Sequence, residues 1–366
     1  MIIKSIKLTN FRNHHSYKLT CDDKTSLILG SNGWGKTSVL EAIYILTRGK
    51  SFRATDPEIL NRDSEYYRIE LEYVNGETTV AIYDGKTKNF IVLDKKQKRL
   101  PKKHKYPVVL FLPSDLNLIS HSPGRRRDYF DRIFAEFDEK YATSLSKYHK
   151  ALKQRNELLK KDYLKEDNLF SWNIMLAKYG TDLHNYREQF TQEINQKLTP
   201  TYHSIAENND KITIDYQSEA PKSEQTYLNH LEKNYERDHY LGHTTFGIHR
   251  DDYVFNFNNQ PADGSASRGE TRSIILALKF IEADLIDQKL HQKPIILLDD
   301  VFSELDETRR RCLIKNFKDN QVIITSVEAV DWLNPISKTV SREIVKKSTT
   351  FRSLLFSISR RLRDRV

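Results

Sequence analysis

Cysteine is almost missing from this 366-residue sequence: Cys21 and Cys312 are the only two. They can build neither a disulfide framework nor a four-ligand zinc set. No apolar run approaches the roughly 20 residues that a membrane-crossing helix needs. The first stretch, MIIKSIKLTNFRNH, alternates apolar and polar residues as a strand does, and has no apolar core followed by a cleavage site. The expectation is a soluble, cytoplasmic protein. Internal repeats, low-complexity tracts, zinc fingers, a helix-turn-helix signature and the aromatic pattern of RNA-binding sheets are also absent. His14, His15, His243 and His249 lack metal-ligand spacing and read as ordinary structural or surface histidines.

What stands in excess is positive charge. Lys and Arg number 59 against 50 acidic residues, a formal net charge of +9. That balance suits a polyanionic partner without by itself demanding nucleic acid. The excess is clustered. DKKQKRLPKKHK (94–105) carries Lys95, Lys96, Lys98, Arg99, Lys102, Lys103 and Lys105, and GRRRD adds Arg125, Arg126 and Arg127. Between Lys338 and Arg365 nine basic residues face two acids. The plain alternative for each cluster is a solvated loop. With no base-reading motif beside them, any DNA contact is expected through phosphates and duplex or junction shape.

The length allows two compact units. Short strand-like runs fill the first part: Ile2–Leu8, Ser26–Leu29, Tyr67–Tyr73, Thr78–Tyr83, Phe90–Leu93 and Val108–Leu112. The period then changes. Phe134, Phe137, Tyr141, Leu145, Tyr148 and Leu152 step by three and four, and a second stripe runs from Trp172 to Leu198, ending at Pro200. These spacings predict two amphipathic helices of a helical lobe. Strand signals return with DYVFNF and KPIILLDD, separated by a long helix. The expected division is 1–120 for the N-terminal part of a catalytic lobe and 121–240 for the helical lobe. The C-terminal part of the catalytic lobe is placed at 241–335 and a basic tail at 336–366.

Chemistry is densest at SLILGSNGWGKTSVLEAIYIL. A buried strand, Ser26–Leu29, runs into Gly30-Ser31-Asn32-Gly33-Trp34-Gly35-Lys36-Thr37, which fits G-x-x-x-x-G-K-[ST], and a helix follows. Such a loop wraps phosphates with its N–H groups, the lysine reaches the β/γ oxygens, and the threonine hydroxyl sits on Mg²⁺. A P-loop needs a carboxylate on a neighbouring strand. Ile295–Leu298 is a fully apolar run ending in Asp299 and Asp300, as expected of a central strand with acids at its C-terminal end. Asp299 is expected to hold Mg²⁺ through its water shell, and Asp300 to orient or deprotonate the attacking water. A third element, Ser267-Arg268-Gly269-Glu270, opens onto a helix; a capped helix start is also an anion site.

P-loop, Asp-Asp strand and an intervening SRGE resemble the layout of ABC-type ATPase heads. The segments LTNFRNH, GSNGWGKT, RGKSFRA, PVVLFLPSDLNLISHSPGRRRDYFD, GIHRDD, SRGETR and LLDDVFSELD are similar to the RecF family, the recombination-repair relatives of SMC and Rad50 heads. They run in order from residue 8 to about 306, the helical lobe and tail matching only in character. The resemblance implies an α/β fold: an ABC-type P-loop ATPase head with a mixed sheet and an inserted α-helical lobe. It implies ATP and Mg²⁺ as ligands, and weak DNA-stimulated hydrolysis that acts as a switch. It also implies an ATP-dependent homodimer with composite sites, and a nucleoid-associated place in the cytoplasm. Expected partners are gapped or duplex/single-strand junction DNA and the recombination mediators RecR and RecO.

By the same resemblance, Arg12, with Asn13, contacts nucleotide, as do the loop from Gly30 to Thr37 and Ser38. Ser267, Gly269 and Glu270 bind the γ-phosphate of ATP held by the other subunit; Glu270 stands where the family usually has Gln. Asp115, in the slot Pro113-Ser114-Asp115, is the candidate for a last metal ligand, and Asp306 resembles a loop that couples the two sites. Arg250, Asp251 and Asp252 are family marks without a derived role. Three other classes stay open. A transporter ATPase subunit is opposed by HRDD and by Thr325-Ser326 where a switch histidine belongs. A small-molecule P-loop kinase needs no SRGE. For an SMC or Rad50 head, an insert of roughly 110 residues gives helices of order 40 Å, not a long coiled coil.

Overall fold

The computed structural model describes residues 2–161, 166–327 and 339–341, the last three as backbone. Most of the expected basic tail, 336–366, therefore lies outside the described residues. Two compact units emerge: Met1–Leu112 with Pro294–Asp306 and Phe317–Val366, and Pro113–Lys293 with Glu307–Asn316.

The first unit begins with an antiparallel pair, β1 (Ile3–Phe11) and β2 (His14–Thr20), in which Phe11 pairs with His14. Strand β2 has no apolar alternation to announce it, because it lies at the edge of its sheet with most of its side chains outside the core. Next come β3 (Thr25–Leu29), α1 (Lys36–Arg48) and α2 (Asp56–Ile59). Strands β4 (Tyr67–Tyr73), β5 (Thr78–Tyr83), β6 (Lys88–Val92), β7 (Lys95–Gln97) and β8 (Val108–Phe111) complete this part. An antiparallel sheet runs in the order β2-β1-β4-β5-β6-β7. Ile6, Leu8, Ile69 and Leu71 of that sheet share one buried core with Leu40 and Ile43 of α1. Each such side chain contributes about 1.5–3 kcal/mol on burial. Part of the basic cluster 94–105 is strand rather than loop, since Lys95–Gln97 forms β7 with all three side chains exposed.

The second unit opens with α3 (Pro123–Phe137) and α4 (Glu139–Leu159). The first aromatic stripe thus spans two helices. Asp138 breaks it, leaving the helical region at φ −125° and accepting the Tyr141 N–H at 2.8 Å as the cap of α4. The second stripe belongs to α5 (Phe170–Ala206), which passes through Pro200 instead of ending there. Proline removes one helical hydrogen bond. Here the last turns are held from outside: Asn195 exchanges two 2.8 Å bonds with the Ile214 backbone, and Thr199 hydroxyl donates to the Ile212 carbonyl at 2.8 Å. Tyr202 and Ile205, beyond the proline, are buried. Ile212 and Ile214 lie on β9 (Ile212–Gln217), followed by α6 (Glu224–Lys233), α7 (Tyr235–Leu241) and β10 (Asp252–Phe257). Then come β11 (Gln260–Pro261), α8 (Ala262–Ser265) and α9 (Arg268–Leu290).

The chain then re-enters the first unit with β12 (Ile295–Asp299). It contributes α10 (Glu307–Asn316) to the second unit, and adds β13 (Val322–Ser326) and β14 (Thr339–Ser341) to the first. These strands form a wholly parallel sheet ordered β14-β3-β13-β12-β8. The two strand directions are thus kept in separate sheets. The segment expected as 241–335 is divided: residues through Lys293 go with the helices, because α9 packs on α3 and α5.

Candidate active site

Strand β3 delivers the chain into the loop Gly30–Gly35 at the C-terminal end of the parallel sheet. Gly33 and Gly35 take φ values of +84° and +83°, a left-handed backbone that side chains resist. A Cβ on Gly35 would also run into the His14 ring. Two glycines of the motif are therefore required by geometry. Lys36 is 6% exposed, and its ammonium donates to the Gly30 carbonyl at 2.6 Å and the Ser31 carbonyl at 3.2 Å. The cation is held over the loop's concave side, with Ser38 buried one turn into α1.

The neighbouring strands bring the carboxylates. Thr37 hydroxyl lies 2.9 Å from both oxygens of Asp299, and Thr325 on β13 donates to Asp299 Oδ1 at 2.8 Å. A hydroxyl and a carboxylate are hard oxygen donors suited to Mg²⁺, so the residues present fit that ion. Asp300 is different. It sits at φ 50°, costly for a non-glycine residue, and its backbone N–H is tied to Thr325. Among the described residues its Oδ1 is buried without a hydrogen-bond partner. Burial lifts the Asp300 pKa above the usual carboxylate value; Lys36 opposes that rise and Asp299 adds to it. A strained carboxylate with an unused oxygen and a raised pKa is suited to take a proton from water.

The turn after β1 braces the loop. Asn13 amide donates to the Gly33 carbonyl at 2.8 Å, and His14 Nε2 donates to the Gly35 carbonyl at 3.0 Å. Burial lowers the His14 pKa, against the opposing hydrogen bond to the Gly35 carbonyl. His14 had read as an ordinary histidine, and nothing in its spacing marks this role. Arg12 faces the same cleft but is engaged: Nε and Nη2 donate to Glu41 at 3.0 and 2.8 Å, and Nη1 to the Glu58 carbonyl at 2.9 Å. Arg12, Asn13, the stretch from Asn32 to Ser38, Asp299 and Asp300 line an open cleft of about 590 Å³, together with Arg53, Ala54 and Glu58. Arg53 lies in RGKSFRA, whose family likeness marked the segment without giving the residue a role.

In the second unit, Ser267 caps α9 and forms a capping box. Its hydroxyl accepts the Glu270 N–H at 3.3 Å while Glu270 carboxylate accepts the Ser267 N–H at 2.6 Å. The acidic side chain thus turns back onto its own cap, and Gly269 leaves room beside the Arg309 guanidinium. Asp115, the candidate last metal ligand, is instead paired at 3.1 Å with the buried Lys279 ammonium, which also contacts Glu282 at 3.2 Å. HRDD acquires a structural role. Asp252 accepts two bonds from Arg126, at 2.8 and 2.7 Å; Asp251 pairs with buried Arg187 at 2.9 Å, and its carbonyl accepts from Arg127. Of the three GRRRD arginines only Arg125 is fully exposed; Arg126 and Arg127 are half-buried and engaged as struts to Asp252 and the Asp251 carbonyl. Asp306 is exposed at the end of its first-unit segment, and Arg250 is exposed as well.

A glycine loop on a parallel strand, its lysine over the loop carbonyls and an Asp-Asp strand two places away define an ATP-hydrolysing protein of the ABC type. A family model described as AAA ATPase domain matches residues 1–240. The DNA replication and repair protein RecF of Alkaliphilus oremlandii is 31% identical over 365 residues, covering 93% of this chain and 98% of the relative. RecF of Clostridioides difficile is 32% identical over 350 residues, covering 90% and 92%. A solved structure of the recombination mediator protein RecF with ATP, in the RecFOR pathway, is 29% identical with a TM-score of 0.80, covering 90% of this chain and 93% of that one. An Smc head domain from Pyrococcus yayanosii, 10% identical with a TM-score of 0.51, shares the fold over 93% of this chain and 94% of its own. The chain belongs to the RecF family of DNA replication and repair proteins. No helix among the described residues is long and apolar enough to cross a membrane.

Proposed function

We propose that this chain is an ATP-switched, DNA-binding ATPase of recombinational repair that works as a dimer. The supporting observation is the cleft itself: the loop, Lys36, the Thr37–Asp299 contact and the unpartnered Asp300 oxygen converge on one volume. ATP binds with its phosphates in the loop from Gly30 to Thr37, Lys36 on the β/γ oxygens and Ser38 at the helix start. Thr37 and Asp299 hold Mg²⁺, which when bound neutralises phosphate charge. Asp300 accepts the proton of the attacking water, giving slow, DNA-stimulated turnover that resets the switch.

Ser267, the N–H groups near Gly269 and Glu270 serve the γ-phosphate of ATP on a second copy, so dimerisation follows ATP. In the capping box the Ser267 and Glu270 N–H groups are taken by the Glu270 carboxylate and the Ser267 hydroxyl, so the donors offered to an anion are the N–H groups of Arg268 and Gly269 between them. DNA with a gap or a duplex/single-strand junction is held through phosphates by the exposed lysines of β7 and its flanks. Recombination mediators of the RecR and RecO kind assemble on the complex at the nucleoid. The solved structure of RecF with ATP, in the RecFOR pathway, concerns that relative; the likeness supports the same partners here.

The test is light scattering with Asp300→Asn, with and without ATP and Mg²⁺. An ATP-dependent doubling of mass without phosphate release is expected, and DNA should bind the doubled species. A monomer that persists at saturating ATP would overturn the dimer reading.

A further inference from the structure

Glu41 lies on the second turn of α1, and its side chain is completely buried. A lone buried carboxylate is strongly disfavoured; it persists only when paired and hydrogen-bonded. Five donors converge on this one. Arg12 gives Nε and Nη2 at 3.0 and 2.8 Å, Arg53 gives Nε and Nη2 at 3.1 and 2.9 Å, and Ser51 hydroxyl gives 2.6 Å. Burial is the largest single influence and pushes the Glu41 pKa up, but the five donors and the Arg53 charge together outweigh it and hold the pKa low. The two arginines come from different segments, one from the turn after β1 and one from the loop after α1. Both nevertheless line the cleft that contains Lys36 and Thr37. One carboxylate shared by two guanidiniums leaves that trio one positive charge, with the Glu58 carboxylate in the same lining.

We propose that Glu41 is a positioning residue for the nucleotide: it fixes Arg12 and Arg53 as a pair of guanidiniums facing the polyphosphate, on the same helix that carries Lys36. This rests on the ATP reading above and says which further groups meet the phosphates. A guanidinium already immobilised by a two-point contact loses less freedom when it meets a second anion. The pair therefore adds to affinity without taking part in bond breaking. Glu41 touches no reacting atom and acts only through the arginines.

The test is ATP titration and steady-state kinetics on Glu41→Gln, which keeps the shape and removes the charge. Expected are a roughly tenfold rise in Kd and KM for ATP and a kcat within twofold of wild type. Arg12→Ala/Arg53→Ala should show a similar loss, and adding Glu41→Gln to that pair should cause no further loss of affinity. Glu41→Asp, which retains the charge, should recover part of the affinity. A lowered melting temperature with unchanged Kd in Glu41→Gln would overturn the proposal, and so would an additive loss in the triple variant. If Glu41→Gln does not fold, Arg53→Lys keeps the cleft charge but loses the two-point contact. The same rise in Kd is then expected, and an unchanged Kd overturns the proposal. A wild-type chain that fails to bind ATP would refute the ATP reading itself, which is a distinguishable result.

Discussion

Thr37 and Asp299 are 262 positions apart in the chain, yet the threonine hydroxyl rests 2.9 Å from each carboxylate oxygen. The contact joins the helix after the P-loop to the strand that ends in two acids. It also places two oxygen donors where an Mg²⁺ ion accompanying ATP would bind. Asp299→Ala should therefore lower ATP affinity about tenfold in Mg²⁺ and change it little in EDTA. Calorimetric titrations in the two buffers check this. Equal losses in both would show that Asp299 acts on the fold and not on the metal.

Ser267→Arg probes the trans role of the capped helix. Each chain should still bind ATP in its own P-loop, while ATP-dependent dimerisation is lost because a bulky cation fills the gap between copies. Mixing with Lys36→Ala chains should restore some dimer, since one composite site in the heterodimer is intact. Sedimentation of the separate and mixed variants decides. Normal dimerisation of Ser267→Arg would assign the serine to helix capping alone.

DNA binding should be indifferent to sequence and steep in salt, each neutralised phosphate contributing about −0.9 to the log–log slope on duplex DNA. Replacing Lys95, Lys96 and Lys98 by serine should flatten that slope with no change in melting temperature, because all three side chains are exposed. Arg126→Ala should do the reverse. It leaves the slope intact and lowers stability by about 1–3 kcal/mol through the unpaired Asp252. Fluorescence anisotropy across a salt series, paired with urea unfolding, separates the two.

His249 predicts the direction of an acid response. Its Nε2 donates to the Thr244 carbonyl at 3.0 Å and its Nδ1 accepts from Tyr148 hydroxyl at 2.8 Å, an arrangement that uses the neutral ring. Burial pulls the pKa from 6.5 to about 4. The unfolded chain takes up this proton first, so the stabilisation is complete above pH 6.5 and declines as pH falls toward 4. Urea midpoints at pH 7 and pH 5 should differ, and the difference should shrink in His249→Gln. An equal difference in that variant would assign the acid response to other groups.

The P-loop and the strand ending in Asp299 and Asp300 were legible because their signals are local. A glycine at φ +83° and a run of four apolar residues ahead of two acids leave marks within eight or ten positions. What escaped was non-local. Arg126 and Arg125 are identical letters in one cluster, and only the Asp252 carboxylate, 126 positions away from Arg126, makes one a strut. Proline at 200 reads as a stop until Asn195 and Thr199 are seen strapped to β9. The bracing by Asn13 and His14 depends on a polar edge strand whose sequence has no period. Arg53 was visible as part of a family segment, but its sharing of Glu41 with Arg12 exists only in three dimensions.

The strand order of the parallel sheet has a consequence for synthesis. Among the described residues, strand β3, which launches the P-loop, has β13 and β14 as its neighbours, with Val322 opposite Thr25. Both partners leave the ribosome roughly 300 residues after β3, which at about 5–20 residues per second is a wait of order 15–60 s. During that interval the glycine loop has no sheet to stand on, and Asp299 has not met Thr37. An incomplete chain therefore cannot present a finished nucleotide cleft. A chain that stops ahead of β12 lacks Asp299, Asp300 and the strand beside β3, so nucleotide use requires that translation has passed β13.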